Sequence, residues 1–415
     1  MSSEDVRMEF EGQLEAQRRG APERASEARF DPPYMPELVR QYLELVGPTT
    51  SAATVFHYAS FMTVAALALG PHLTLDGNPR FRPNLYTLLL GPSRFSHKST
   101  PMDYALSLLP ETGVPHFYLR GVVSIEGMAK QVTDRVRPRL MLHEDELANL
   151  CASQARGATG NVFPRLCELH GLKPSFELNG KEAVKLIEPF TCFLAGVTAP
   201  FLRTREARAA AGLGFFNRCF VVCGTASRPL DDWAWPPEAE MKQIAGKLGD
   251  LARALGEKPV PYAWAPSARA RRKQWLDHWY EGAVARANSD APFNPESNNL
   301  LTRLALLTAA LDGAKEIRPE HTEHAIAVID ATEPAALAAM DLSASNADRE
   351  CEAWCEEHIP LGMTTIREIQ KSAHRSPSTT DIVKVVRAWE TVGRAKMQKN
   401  QGKRGRPGVY VTRFW

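Results

Sequence analysis

The chain has 415 residues, of which 44% are hydrophobic and 24% are charged, as is typical of a soluble protein with two or three domains. Its formal net charge is only +2, which excludes a nucleic-acid surface built on global charge. Any such surface must come from local clusters of basic residues.

Cysteine content and hydropathy indicate the compartment. The seven cysteines, an odd number with no signal peptide before them, predict a reducing cytoplasm without structural disulfides. The most apolar segment, residues 55–69, is short for a bilayer span and predicts a buried helix. We therefore expect a cytoplasmic protein without membrane contact.

The chain divides into five predicted regions. Residues 1–32 contain few large apolar groups and predict a flexible arm. Residues 33–70 have helical periodicity and predict a small N-terminal helical subdomain. Residues 71–230 predict an α/β core, residues 231–345 a helical lid or spacer, and residues 350–415 a separate C-terminal domain.

Short apolar segments define the α/β core. "LTLDGNPR" carries an Asp-Gly turn signal and predicts a short hairpin. "NLYTLLLG", "RLMLH", "FTCFLAGVT" and "NRCFVVCG" are continuous apolar strands separated by largely helical sequence. This alternation predicts a parallel sheet covered by helices on both faces.

The first of these strands leads into "GPSRFSHKST", which has the order of parts of a phosphate-binding loop. In such a loop, backbone N–H groups at a helix N-terminus bind phosphate, a lysine neutralises it, and a hydroxyl binds Mg²⁺. Gly91 lies one residue further from the lysine than in the usual motif, and histidine replaces the glycine before the lysine. The alternative is a basic surface loop. The candidate nucleotide-binding residues are Gly91, Ser96, His97, Lys98, Ser99 and Thr100.

Acidic residues follow the next strand, in "RLMLHEDELANL". Asp145 is placed to bind Mg²⁺ together with Ser99, and Glu146 to polarise an attacking water. Glu144 and Asp145 form an alternative register, and a solvated turn is the non-functional interpretation. The lysine loop and the acidic pair together predict an ATP and Mg²⁺ site.

Two later residues fit an ATPase that acts as an oligomer. Thr198 ends the third strand, beside the first two, where it could sense the terminal phosphate. Arg218 precedes the fourth strand and could reach the nucleotide of a neighbouring subunit. Arg203, Arg205 and Arg208 are alternatives for that role, and Arg303 could contact the terminal phosphate within the same chain.

Residues 34–330 resemble a known family. "YLELVGPTTSAATVFHYASFMTVAALALG", "PNLYTLLLGPSRFSHKST", "LMLHEDELANL", "FLAGVTAP" and "GLGFFNRCFVV" are similar to successive blocks of P-loop ATPases from phages, plasmids and genomic islands, which are often assigned as replicative helicases. The resemblance implies an additional-strand P-loop core related to AAA+ proteins and superfamily III helicases. In it, the phosphate loop, acidic pair, first sensor and arginine finger match Lys98, Ser99, Asp145, Glu146, Thr198 and Arg218.

The Asn-Gly pair in "SFELNGKEAVKLI" predicts a hairpin. In ring ATPases that resemble this chain, a hairpin at this place lines the central pore and contacts single-stranded DNA. Lys173, Lys181 and Lys185 would then bind DNA phosphates. The alternative is a solvent-facing hairpin with ordinary lysines.

The C-terminal segment reads as helix, turn, helix and hairpin, which resembles a winged helix. Its last part is rich in basic residues and contains no acidic residue between Arg394 and Arg413, which predicts contacts with duplex DNA. The alternative is a winged helix that binds protein. The candidate DNA-binding residues are Arg394, Lys396, Lys399, Lys403, Arg404 and Arg406.

These features predict a ring ATPase, of hexameric size, that acts as a DNA helicase or translocase in replication of a mobile element. The alternative is a nucleotide-switched DNA-binding regulator or loader, in transposition or defence, that does not translocate. The tryptophans, including Trp235 and Trp275, are interpreted as core or interface anchors and not as surfaces for base stacking.

Overall fold

The structure is a computed structural model that describes residues 30–93, 96–121, 131–154, 162–178, 184–226, 234–288, 294–372, 378–391, 395–400 and 408–413. The predicted arm of residues 1–32 lies almost entirely outside these ranges. The described strands are β1 (Leu73–Leu75), β2 (Tyr86–Leu90), β3 (Phe117–Arg120), β4 (Arg139–Glu144), β5 (Ser175–Leu178), β6 (Val184–Ile187), β7 (Phe190–Val197), β8 (Cys219–Cys223), β9 (Val260–Trp264), β10 (Glu316–Ile317), β11 (Gly362–Thr365), β12 (Ala395–Asn400) and β13 (Gly408–Arg413). The described α-helices are α1 (Glu37–Val46), α2 (Thr54–Leu69), α3 (Ser99–Ser107), α4 (Leu147–Gln154), α5 (Val162–His170), α6 (Ala199–Leu202), α7 (Arg205–Gly212), α8 (Glu238–Ala254), α9 (Pro266–Asn288), α10 (Ser297–Leu311), α11 (Pro319–His358), α12 (Ile366–Ser372) and α13 (Thr379–Thr391).

The central sheet contains five parallel strands in the order β3-β4-β7-β2-β8. Its side chains alternate between two hydrophobic clusters, with Leu89 and Met141 in one and Leu88 and Leu142 in the other. Helices α2, α3, α8 and α10 contribute to the first cluster, and α4 to α7 contribute to the second. The prediction of an α/β protein with a parallel sheet flanked by helices is confirmed.

Because the five strands are parallel, their carboxyl ends meet at one edge of the sheet and their amino ends at the other. We call these the carboxyl edge and the amino edge. Strand β7 pairs with both β2 and β4, as the sequence predicts. The segments that follow β2, β4 and β7 therefore emerge side by side at the carboxyl edge.

Helix α2 is buried in the first cluster, against β7, β8 and α3. The segment Thr54–His72 has 19 residues and is long and apolar enough to cross a membrane, but 83% of its apolar window is buried inside the protein. The prediction of a buried helix is confirmed, although length alone does not exclude a span. Both helices predicted within residues 33–70 share this cluster with the sheet.

Residues predicted as a helical lid or spacer include two strands, β9 and β10, of a second sheet with the order β1-β9-β10. Strand β1 pairs in parallel with β9. The hairpin predicted for "LTLDGNPR" is therefore wrong: the turn at Gly77 is closed by a single bridge between Leu75 and Asn78. The order β1-β9-β10 leaves β1 at the edge of its sheet, and among the described residues no antiparallel strand pairs with its other side.

Helix α11 has 40 residues and runs through the boundary predicted between residues 345 and 350. Its last turns carry Cys351 and Cys355 into a third hydrophobic cluster with Val386 and Trp389. The predicted helix, turn, helix and hairpin are present as α12, α13, β12 and β13. Strand β11 completes an antiparallel sheet with the order β11-β13-β12, which the sequence pattern did not predict.

Candidate functional site

The loop between β2 and α3 folds around a buried lysine. Lys98 is 7% exposed, and its Nζ donates hydrogen bonds to the Gly91 carbonyl oxygen at 2.8 Å and to Ser96 Oγ at 3.4 Å. Ser96 Oγ in turn donates to the Pro92 carbonyl oxygen at 2.7 Å. Burial lowers the pKa of Lys98, and the charge of Glu146 opposes that shift. The lysine is therefore an internal group of the loop and not part of a basic surface loop.

His97 adopts the backbone conformation of a glycine, with φ of 48°. A side chain in this left-handed region costs about 1–2 kcal/mol, and only the surrounding structure can hold it there. The loop backbone at His97 therefore follows the path that the usual glycine would take, although the residue there is a histidine.

Three glycines allow close packing at the carboxyl edge. A Cβ atom on Gly91 would lie 2.6 Å from the Gly224 carbonyl oxygen, and one on Gly224 would lie 2.6 Å from the Ala53 Cβ. A Cβ atom on Gly196, in β7, would lie 2.5 Å from the Asp145 carbonyl oxygen and 3.2 Å from Lys98 Cε. Gly196 thus lets the lysine side chain and the segment after β4 approach each other. The sequence interpretation did not select Gly196.

The two predicted acids differ in their surroundings. Asp145 forms an ion pair with Arg120, at the end of β3, with 2.5 Å between Nη2 and Oδ2. Both side chains are largely exposed, so this pair stabilises the fold little. Glu146 is half-buried, and its Oε1 has no hydrogen-bond partner among the described residues. Glu146 is also the acid whose charge influences Lys98, whereas Glu144 is buried at the end of β4.

A second layer of polar groups lies behind Asp145. The Tyr118 hydroxyl is 2.7 Å from His143 Nδ1, and burial lowers the pKa of His143. A neutral ring whose Nδ1 accepts from the hydroxyl carries its proton on Nε2, which is 3.6 Å from Asp145 Oδ1. That separation is too long for a hydrogen bond, so we regard it as a polar contact and not as an ion pair.

Tyr118 and Arg120 were missed because β3 was not recognised as a strand, although "FYLR" has strand-forming aromatic residues.

Ser99, Thr100 and Thr198 also lie at the carboxyl edge. Ser99 is exposed in the first turn of α3. Thr198 follows β7 directly, and the Gly91 N–H donates to the carbonyl oxygen of the preceding residue, Val197, at 3.2 Å. The structure therefore brings the predicted loop, the acidic pair and the predicted sensor to one edge of the sheet.

The two arginines proposed for phosphate contact lie at the opposite, amino edge. Arg218 precedes β8, whose first residue pairs with Tyr86, the first residue of β2. A five-residue strand, about 16 Å long, therefore separates Arg218 from the lysine loop. The Arg218 Nη1 donates to the Gly214 carbonyl oxygen at 2.7 Å. Arg203 lies after Thr198, toward the carboxyl edge, whereas the side chains of Arg205 and Arg208 are outside the described residues.

Arg303 does not reach the lysine loop. Its guanidinium carbon is 5.7 Å from the centre of the Phe81 ring, and burial lowers its pKa to about 10. The nearby groups that influence this pKa include Tyr86, which begins β2, and Cys192, the third residue of β7. The expected contact of Arg303 with a terminal phosphate in the same chain is thus contradicted, because α10 places the side chain at the amino edge.

Only some candidate DNA-binding residues are described. Strands β5 and β6 pair as the predicted hairpin. Lys173 is 3.5 Å from a Glu168 carboxylate oxygen, and Lys185 is 3.1 Å from one of Glu177. Their charges are therefore partly compensated. Lys181, Arg394, Lys403, Arg404, Arg406 and the side chain of Lys399 lie outside the described residues.

In the C-terminal sheet, Lys396 is exposed on β12. Arg413, which was counted in the basic segment, has a different position. Its Nη1 donates to the carbonyl oxygens of Glu356 and Ile359, and its guanidinium lies 5.3 Å from the centre of the Trp389 ring. Arg413 therefore joins β13 to the end of α11 and is structural.

Among the described residues, no group of three or more His, Cys, Asp or Glu side chains is arranged to hold a metal ion. Comparison with known proteins adds no family: no protein-family model matches the chain, and no curated protein is similar to it.

Proposed function

We propose that the protein is a cytoplasmic ATPase of a mobile genetic element that assembles as a ring, of hexameric size, and translocates on DNA during replication. The observation that carries the proposal is the position of Lys98. It is buried in the loop between a central parallel strand and a helix N-terminus, within the electrostatic influence of Glu146 at the end of another strand of the same sheet.

The strand order supports an additional-strand P-loop core. In the order β3-β4-β7-β2-β8, strand β7 separates the strand before the lysine loop from the strand before the acidic pair. This is the arrangement that the family resemblance implies. It also places Thr198 between the two halves of the site.

The residues of the carboxyl edge fit a nucleotide with Mg²⁺. The start of α3 would direct backbone N–H groups at the phosphates, and a water would satisfy the Glu146 Oε1, which has no hydrogen-bond partner among the described residues. Mg²⁺ supplies positive charge that offsets the charge of the phosphates. In our proposal Lys98 binds the terminal phosphate, Ser99 and Asp145 hold the ion, and Glu146 orients the attacking water and accepts its proton.

The position of Arg218 supports action between subunits. One strand length separates it from the lysine loop of its own chain, so in our proposal it contributes to the site of a neighbour and not to its own. In a ring, the amino edge of one subunit would face the carboxyl edge of the next, and the guanidinium would stabilise the charge that develops during phosphoryl transfer.

The C-terminal unit is the favoured DNA-binding surface. The end of α11, then β11, α12, α13 and the β12–β13 pair follow the element order of a winged helix. The basic residues between 394 and 406 would bind phosphates of duplex DNA. The lysines of the β5–β6 hairpin are offered as contacts for single-stranded DNA in the pore, although Lys173 and Lys185 already have acidic neighbours.

A second function is favoured by the ion pair between Asp145 and Arg120. While that pair persists, the Asp145 carboxylate, which we propose holds Mg²⁺, binds Arg120 instead of the ion. A protein of this kind would bind nucleotide as a switch and regulate or load other proteins on DNA without translocating.

Replacement of Lys98 tests the nucleotide site. Lys98→Ala should abolish ATP binding measured by isothermal titration calorimetry, because the charge that offsets the phosphates is lost, while circular dichroism should show a folded protein. Lys242→Ala is the matched control, since Lys242 is an exposed helical lysine. Equal ATP affinity in Lys98→Ala and wild type would reject the site.

The two candidate functions differ in turnover. A translocase should hydrolyse ATP faster when single-stranded DNA is added and should displace an annealed strand. A nucleotide-switched regulator should bind ATP and duplex DNA with neither effect.

A further inference from the structure

Trp235 has a position that its residue type seldom takes. Its side chain is 58% exposed, whereas large aromatic residues are usually mostly buried. Trp235 is therefore not a core residue, and its interpretation as an interface anchor stays a prediction. Along the chain, Trp235 lies in the segment between the end of β8 and the start of α8.

The exposed ring is held against the helix that begins at the lysine loop. The ring centres of Trp235 and Tyr104 are 4.6 Å apart with an angle of 79° between the planes, which is an edge-to-face contact. The Tyr104 hydroxyl also donates to the Ala234 carbonyl oxygen at 3.1 Å. These contacts limit the movement of the indole although Trp235 is exposed.

The geometry of α3 relates this ring to the phosphate loop. Tyr104 lies five residues after Ser99, so about 7.5 Å of helix separates them. Thr49, before α2, is 3.4 Å from the Tyr104 hydroxyl, and the chain next to it approaches the carboxyl edge where Ala53 meets Gly224.

We infer that Trp235 forms part of the nucleobase subsite of the proposed nucleotide site, with the indole stacked on a purine. The inference rests on the proposed function. A base has a π-face and little net charge. An exposed, immobilised indole therefore suits a nucleobase better than it suits a phosphate group. Aromatic stacking on a base typically contributes about 1–3 kcal/mol, or about 5- to 150-fold in affinity.

The test separates base from phosphate recognition. Trp235→Ala should weaken ATP binding by about 5- to 150-fold, while binding of inorganic tripolyphosphate, which lacks a base, should stay the same. Trp235→Phe should recover most of the ATP affinity because it keeps an aromatic face. Tyr280→Ala is the matched control, since Tyr280 is also an exposed aromatic residue (63%) but lies on α9.

The outcomes are distinct. If wild type binds ATP and Trp235→Ala binds it equally well, the inference is overturned and the proposed function stands. Equal losses for ATP and tripolyphosphate would also overturn it, because they would mean that the substitution disturbs the phosphate loop. If wild type binds neither compound, the proposed function fails and the base subsite fails with it.

Discussion

Gly196→Ala should damage the proposed nucleotide site through a single methyl group. The new Cβ would lie 2.5 Å from the Asp145 carbonyl oxygen and 3.2 Å from Lys98 Cε. The first contact is with backbone, which cannot rotate away as a side chain does, so the segment after β4 must move. Inserting a methyl group into close-packed structure costs about 1–3 kcal/mol, which should appear as a lower free energy of unfolding in urea.

The same substitution should also weaken ATP binding. A displaced Lys98 loses a charge-assisted contact with phosphate worth about 1.5–3 kcal/mol, which corresponds to about 10- to 150-fold in Kd. Titration calorimetry on the folded variant measures this loss.

Gly246→Ala is the control for the glycine substitution. Gly246 lies in α8 with nothing within 4 Å of its added Cβ. Alanine there should stabilise the helix by about 0.5–1 kcal/mol and leave ATP affinity unchanged. A Gly196→Ala protein that is less stable but binds ATP as tightly as wild type would refute the idea that this glycine positions the lysine.

Three further predictions concern assembly, DNA binding and pH. Mixing Arg218→Ala with Glu146→Gln subunits should restore part of the ATPase activity, because some interfaces then combine an intact arginine with an intact glutamate; no recovery at any ratio would argue against a shared site. Deleting residues 351–415 should preserve ATP binding and weaken duplex-DNA binding, and loss of up to six phosphate contacts should flatten the slope of log K against log salt by up to about 5 units; an unchanged slope would move the DNA surface elsewhere. Burial lowers the pKa of His57 to about 3 from an unfolded value near 6.5, so its contribution to stability is complete above pH 6.5 and is lost as the pH falls toward 3. At pH 5 this loss is about 2 kcal/mol. Between pH 7 and pH 5, the free energy of unfolding in urea should therefore fall by about 2 kcal/mol more for wild type than for His57→Phe. An equal fall in the two proteins would contradict this prediction.

Local sequence predicted the elements that carry the candidate site. Continuous apolar segments identified β2, β4, β7 and β8, because strands covered on both faces need apolar side chains on both sides. The order of a strand, a glycine turn, a polar loop and a lysine placed Lys98 at the start of a helix. These features depend on neighbours in the chain, so sequence pattern could reveal them.

Tertiary structure decided which distant residues meet. Arg303 was expected beside the lysine loop, but α10 packs so that its guanidinium reaches Phe81 at the amino edge. Arg120 was not selected, yet the pairing of β3 with β4 brings it to Asp145.

The same distinction holds for backbone conformation and burial. Sequence by itself determined that His97 departs from the usual glycine, and only the folded loop shows that its φ of 48° follows the path of a glycine. Sequence also determined that α2 is apolar, whereas only the fold shows that it is buried against the central sheet. Pattern along the chain records the preferences of each segment, but strand order and helix packing, which set contacts between segments far apart in sequence, arise only when the whole core is buried together.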